Sequence, residues 1–409
     1  MFFNPRELDA FWEQLEPVWN KQPLLIKQPF KTPFVDEPRF LSYLQRWGDQ
    51  VRDGKLSFDV RVIDNDALPR TTDTSLDAFE RRIAPTWTKD WYLYIPDGMQ
   101  QYDGDLWERA IELLMPAMKT HGGLPAGGMT IDLFYGKYQA TPTGIHLDAS
   151  DSFAFIVRGP KRLLFWKPDR FVTKFASPPK NPSHQQSLTG RYTDHLNDAI
   201  VIDGEAGDLI YWPKDYWHIG ASADWWSGMV ALGTWWSATP SKLARAMLSG
   251  VVDLQGEAQV YQMNINELEA AAGELPPVLG DMVGQVRTQV DRRLGLAAKV
   301  GWAKFVTSYG FSTPPAPRER PVLGDTARLR VKHPVGRVDL GRMLAVIAGG
   351  HETVTSCLNI QPAIARLKVG SEHALPDLIR QLPDGDTEAA ASLKNVLSDL
   401  VAFRALDVM

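Results

Sequence analysis

Apolar and polar positions along the chain fall into three regimes. Near the start, residues 5 to 13 carry a helical spacing, Leu24, Leu25 and Ile26 form a short apolar run of strand type, and 106 to 118 places Leu106, Ile111, Leu114 and Met118 on one helical face, with Pro116 expected to end that helix early. From Met129 to about Trp236 the pattern shortens into strand-like segments punctuated by turns. Ser152 to Arg158 and Lys161 to Trp166 flank the turn signal Gly159-Pro160, predicting a hairpin. Gly207-Asp208 feeds the run Leu209 to Trp212, which Pro213 ends because proline cannot continue a ladder. Between them, residues 172 to 200 are weakly patterned, with Pro178, Pro179 and Pro182. A long loop is expected there, able to cover a substrate, with His184 and His195 solvated.

From Ser241 to Phe311 the spacing turns helical, through Leu243, Met247, Val251 and Leu268 and then Val283, Val286 and Val290. A helical block of this kind serves either as a dimer interface or as a buttress within one chain. The proline-rich run from Ser312 to Pro321 is the clearest linker. Beyond it, 327 to 331 and 337 to 347 predict strands, and helices are expected near Ala363, over 375 to 382 and over 388 to 406. Three domains follow: 1–240, 241–311 and 322–409.

The candidate chemistry lies in the middle regime. His146 and Asp148 are two apart, so on a strand they face the same way while Leu147 points into packing. His218, in Tyr216-Trp217-His218, would complete a set of two imidazoles and one carboxylate. That donor set leaves positions open on a metal and suits non-haem Fe(II) and dioxygen chemistry. Lys161 opens the strand after the Gly159-Pro160 turn among apolar neighbours, where burying an ammonium is costly without an anion to pair with it.

Thr141-Pro142-Thr143-Gly144-Ile145-His146-Leu147-Asp148, the Gly159-Pro160-Lys161-Arg162 segment, and Gly207 to Pro213 leading into Trp217-His218 together resemble the JmjC branch of the cupin-fold 2-oxoglutarate oxygenases. The resemblance is specific over about residues 126 to 240 and looser over the domain order. It implies an α+β protein with a double-stranded β-helix core, flanking helices, a helical block and a small winged-helix-like C-terminal domain, the last as in ribosomal oxygenases. It further implies that His146, Asp148 and His218 bind Fe(II) and that Lys161 pairs with the far carboxylate of 2-oxoglutarate. A hydroxyl three residues before the first ligand points to Thr143. Of the two tyrosines on the preceding strand, Tyr135 and Tyr138, the choice for a cosubstrate contact is Tyr135. The strand after the distal histidine offers little polar beyond Thr234 and Trp235. Hydroxylation of a protein or peptide side chain is the implied activity. Its alternatives are a metal-dependent cupin enzyme acting on a small molecule and a non-catalytic peptide-binding module.

Composition narrows the rest. A chain of 409 residues with 44% apolar content can bury more than one core. A net charge of −5 with interspersed signs argues against nucleic acid as the main substrate, and the local basic residues Arg328, Arg330, Lys332, Arg337 and Arg342 suit a solvated strand face equally well. Cys357, the single cysteine, excludes an internal disulfide. Without an apolar leader or a stretch of membrane-span length, a cytoplasmic protein is expected, with a possible homodimer through the helical block.

Overall fold

A computed structural model describes residues 2–53, 67–85, 90–120, 123–174, 184–188, 191–221, 225–236 and 277–409. The chain divides into two compact units, Met1–Ser237 with Tyr309–Ala316, and Ala238–Ser308 with Pro317–Met409.

The helices of the first unit start where their caps dictate. Helix α1 (Pro5–Leu15) begins at Asn4, whose side chain accepts from the Arg6 amide, with Pro5 at the first position, where its missing N–H costs nothing. Helix α2 (Glu37–Arg52) is capped by Asp36 and helix α3 (Leu76–Ile83) by Ser75 in the same way. Helix α4 (Gly104–Thr120) runs through Pro116 rather than ending before it. The proline removes a backbone bond only one turn from the end, while Ala117 and Met118 remain buried beyond it and repay the continuation.

Among the described residues of this unit, eleven strands form two antiparallel sheets. Their ranges are β1 (Leu24–Ile26), β2 (Trp91–Ile95), β3 (Gly128–Lys137), β4 (His146–Asp148), β5 (Asp151–Arg158), β6 (Lys161–Trp166), β7 (His184–Ser187), β8 (Ile200–Gly204), β9 (Leu209–Trp212), β10 (Trp217–Ala221) and β11 (Ser227–Trp235). The larger sheet has the order β1-β9-β5-β11-β3-β2, and the smaller β7-β4-β10-β6-β8. Between β3 and β11 the chain passes back and forth from one sheet to the other, an alternation compatible with the double-stranded β-helix expected. Residue parity sets the layers. Ile156, Leu163, Phe165, Ile210, Met229 and Ala231 cluster between the sheets. Their alternate neighbours, including Leu133, Phe155, Tyr211 and Val230, join the helical side chains Phe11, Leu44 and Leu114 on the outer face of the larger sheet. Leu147, Leu164, Trp166, Trp217 and Ile219 cover the outer face of the smaller one. Because helices shield its outer face, β5 is buried on both sides and reads as a continuous apolar run.

Three expectations change here. Gly159-Pro160 does not close a hairpin, since β5 and β6 belong to different sheets and the turn carries the chain across. Gly159 adopts φ +58°, and a Cβ there would come within 2.0 Å of the Trp226 carbonyl oxygen. The stretch 172 to 200 is more ordered than a loop over its described part, which holds β7 and a 3-10 segment over Tyr192–Asp198. His184 lies in β7 opposite Asp148 of β4, and the His195 carbonyl accepts from the Trp166 indole at 2.9 Å. Residues 309–316 also depart from a plain linker. Phe311 bridges Met129, and Ser312 and Thr313 donate to Asp97 at 2.6 and 3.2 Å, which ties this segment into the first unit.

The second unit contains a helix over Pro277–Thr307 and two three-stranded antiparallel sheets. One is ordered β16-β12-β17 and the other β13-β14-β15, from β12 (Arg328–Val331), β13 (Val335–Asp339), β14 (Leu344–Ala348), β15 (His351–Thr355), β16 (Glu372–Ala374) and β17 (Leu406–Val408). The run expected as one strand over 337 to 347 is therefore two, broken where Gly341 takes φ +90°. The last helix stops at Ala402 rather than 406, because Leu406 is needed in β17 to pair with Val331. Leu243, Met247, Val251 and Leu268 lie outside the described residues. Three of the basic residues are matched by acids: Arg328 and Arg330 face Glu372, and Lys332 faces Asp407. No described helix is long and apolar enough to cross a membrane.

Candidate metal centre

Strands β4 and β10 lie side by side, with His146 directly opposite His218. Leu147 and Trp217 turn outward into the smaller sheet's outer cluster, so the two imidazoles and Asp148 turn inward between the sheets. Both histidines are buried, while the Asp148 side chain keeps 23% of its surface exposed. The rings are 4.2 Å apart between centroids. One oxygen of Asp148 stands 3.5 Å from Nε2 of His218 and 3.9 Å from Nε2 of His146.

Each histidine is held by its other nitrogen. Nδ1 of His146 faces the Gly144 carbonyl at 2.9 Å, and Nδ1 of His218 faces the Tyr216 carbonyl at 3.1 Å. A carbonyl accepts only, so both Nδ1 atoms carry the proton and both Nε2 lone pairs are directed at the same point as the carboxylate. One ligand atom from each of the three residues lies within 4.8 Å of the others. Two neutral imidazoles and a carboxylate with fixed tautomers fit a divalent first-row metal.

Lys161 stands in the same sheet. It opens β6, which pairs with β10 so that Phe165 is opposite His218 and Leu163 opposite Gly220. Lys161, Leu163 and Phe165 share the inward face, and the lysine is 1% exposed. Its ammonium donates to the Tyr138 hydroxyl and lies 4.6 Å from the centre of that ring. Among the described residues no carboxylate pairs with it, and burial pushes its pKa down to about 7.

The other two expected contacts are placed differently. Tyr135 shares the outward parity of Ile131 and Leu133. Its ring packs with Phe40, Phe79 and Trp91, and its hydroxyl donates to Glu80 at 2.6 Å, away from Lys161. Tyr138 occupies the place expected for it, because three residues reverse the parity. Gly136 leaves the room, since a Cβ there would meet the Tyr138 ring at 2.8 Å. Thr143 is exposed, and its hydroxyl donates to that of Thr141 at 3.3 Å. Thr141 is the buried member of the pair. It donates its amide to the Gly220 carbonyl at 2.9 Å and borders the same space as Lys161.

Three further groups escaped the linear reading. Trp212 faces the interior 5.1 Å from the His218 ring, and its buried indole N–H has no hydrogen-bond partner among the described residues. Asp132 accepts from the Asp97 amide at 2.8 Å, and burial, then the charges of Asp97 and Asp148, raise its pKa to about 7. Ser227 on β11 lies beside the Tyr138 hydroxyl. Only parity along β3 and β11 could have pointed to the last two.

No protein-family model matches the chain, and no curated protein matches it. Among solved structures it is similar to the YcfD protein of E. coli, at 14% identity over the whole of both chains with a TM-score of 0.48. It is also similar to a second YcfD structure, described as an Escherichia coli ribosomal oxygenase in complex with cobalt and 2-oxoglutarate, at 13% identity over 98% of this chain and 97% of that one with a TM-score of 0.43. A distant likeness to the coconut allergen cocosin covers 26% of this chain and 22% of that one, at 11% identity and a TM-score of 0.18.

Proposed function

We propose that the first unit is an Fe(II)- and 2-oxoglutarate-dependent hydroxylase acting on a protein or peptide side chain. One observation carries this reading. The His146, Asp148 and His218 donors and the ammonium of Lys161 share one inward face of one sheet. The triad would hold the metal, and Lys161, steadied by Tyr138, would hold the far carboxylate of the cosubstrate. When bound, Fe(II) with 2-oxoglutarate would activate dioxygen, the oxidant, for hydroxylating an unactivated carbon, with one oxygen atom going to the substrate and the other to succinate as CO2 is lost. The chain's own part is to fix both imidazole tautomers, to orient the cosubstrate between two anchors, and to keep bulk water from the buried ammonium. A buried lysine that no carboxylate pairs with among the described residues favours a bound acid that receives its charge.

A polypeptide substrate is the finer part of the proposal, in keeping with the description of YcfD as a ribosomal oxygenase. The second unit, winged-helix-like in our reading, would then serve substrate docking, and its long helix a homodimer. A cytoplasmic location fits the same reading. Succinate formation from 2-oxoglutarate, followed with and without Fe(II) and with candidate peptides, tests it. Iron-dependent succinate formation stimulated by a peptide is expected. An iron-loaded protein that does not bind 2-oxoglutarate would remove the reading.

A further inference from the structure

We infer that Gly220 determines which acids this site accepts, by leaving bare the stretch of sheet that a dicarboxylate must cross between the metal triad and Lys161. The inference deepens the cosubstrate assignment proposed above and rests on it.

Gly220 lies two residues beyond His218 on β10, on the same inward face, and Ile219 between them points to the outer cluster. At the rise of a strand, the two positions are about 7 Å apart. Lys161 begins four residues before the partner of His218, yet its side chain leans forward along β6 toward Leu163. Its Nζ stands 3.2 Å from where a Cβ of Gly220 would be. The ammonium therefore stands over residue 220, not over the start of its own strand. An acid anchored at the triad by one end and at Nζ by the other spans residue 220.

Three side-chain atoms surround the point where a Cβ of residue 220 would stand, the first being the Nζ of Lys161. Leu163 is the direct partner of Gly220 on β6, with its Cδ2 3.5 Å from the added Cβ. Thr141, on the other side, is bonded to the Gly220 carbonyl, and its Cγ2 is 3.2 Å from the same point. A methyl group at 220 would touch all three at once, two of them more closely than ordinary van der Waals contact allows. The backbone at Gly220 is not in the left-handed region, so conformational freedom does not explain the glycine there. Space does.

The test uses the full-length protein with Fe(II) under anaerobic conditions, titrated with 2-oxoglutarate and separately with oxalate. Oxalate can chelate a metal but is too short to reach Lys161. Gly220→Ala should weaken 2-oxoglutarate binding by roughly 10-fold and Gly220→Val by more, on the order of 100-fold, the range expected for added methyl groups in a closed pocket. Fe(II) and oxalate affinities should stay at the wild-type level in both variants, a split that general damage to the sheet would not produce. If Gly220→Ala weakens oxalate as much as 2-oxoglutarate, or weakens neither, the inference fails. Lys161→Ala separates the two levels. A 2-oxoglutarate affinity that depends on Lys161 but is indifferent to Gly220→Ala overturns the inference alone. An affinity indifferent to Lys161→Ala overturns the cosubstrate reading and the inference with it.

Discussion

Lys161 is buried with a phenol hydroxyl and the face of a ring for company, and its pKa near 7 makes its charge sensitive to ordinary pH. Only the ammonium pairs with a carboxylate. Raising pH through about 7 discharges it in the ligand-free protein, so 2-oxoglutarate affinity should be flat below pH 7. Above that it should fall by roughly tenfold per unit until the pKa of the complex is reached. Calorimetric titrations from pH 6 to 9 in buffers of different ionisation enthalpy should show proton uptake on binding above pH 7 and none well below it. A charge-assisted pair contributes about 1.5 to 3 kcal/mol, so Lys161→Ala should weaken cosubstrate binding by roughly 10- to 150-fold while Fe(II) still binds. At the triad, His146→Ala or His218→Ala removes one of three donors whose tautomers the Gly144 and Tyr216 carbonyls hold. Iron-dependent turnover should be lost in both variants, and full Fe(II) affinity retained in both would refute the ligand assignment.

The turn between β5 and β6 determines where Lys161 stands, because it transfers the chain from the larger to the smaller sheet. Gly159 makes that transfer with φ +58°, and a Cβ on it would come within 2.0 Å of the Trp226 carbonyl oxygen. Gly159→Ala has both a left-handed backbone and a steric clash to accommodate. It should cost about 2 kcal/mol or more in denaturant unfolding and should lower cosubstrate affinity more than iron affinity. Loss of neither would mean that the turn can be rebuilt without moving β6. The same element explains why a hairpin was expected. Apolar runs around Gly-Pro specify a reversal, but not whether the second strand pairs with the first or with a partner 50 residues downstream.

The division into two units makes a sharper truncation possible than the proline-rich run suggested. Ser312 and Thr313 are bonded to Asp97, the Gln100 amide donates to the Thr313 carbonyl at 3.1 Å, and Phe311 bridges Met129. A chain ending at Ala316 should therefore bind Fe(II) and 2-oxoglutarate as the full-length protein does. One ending at Ser308 should unfold at lower temperature. If the second unit docks the substrate, the chain ending at Ala316 should keep peptide-independent turnover of 2-oxoglutarate and lose turnover on the polypeptide. Undiminished peptide hydroxylation by the shorter chain would exclude the docking role.

Local alternation made the candidate metal donors legible, and strand pairing brought them together. His146 and Asp148 need only the two-residue period of a strand to face one way, and Trp217-His218-Ile219 carries the same alternation. The alternating apolar layers are likewise written in short spans, where sterics act between near neighbours, whereas the crossing at Gly159 is not, because Gly-Pro specifies a reversal and not the partner of the strand that follows. What sequence could not decide was which of several suitable side chains lies beside the ligands. Tyr135 and Tyr138 are three apart and chemically identical. Parity sends one to Glu80 outside the sheet and the other to Lys161 within it, and Gly136 makes the room. Thr143 gives way to Thr141 for a similar reason, since only the latter is drawn under β10 by a backbone bond to Gly220. These choices depend on register between strands far apart in the chain. Register is set by packing and ladder hydrogen bonds that form only when both sheets are in place.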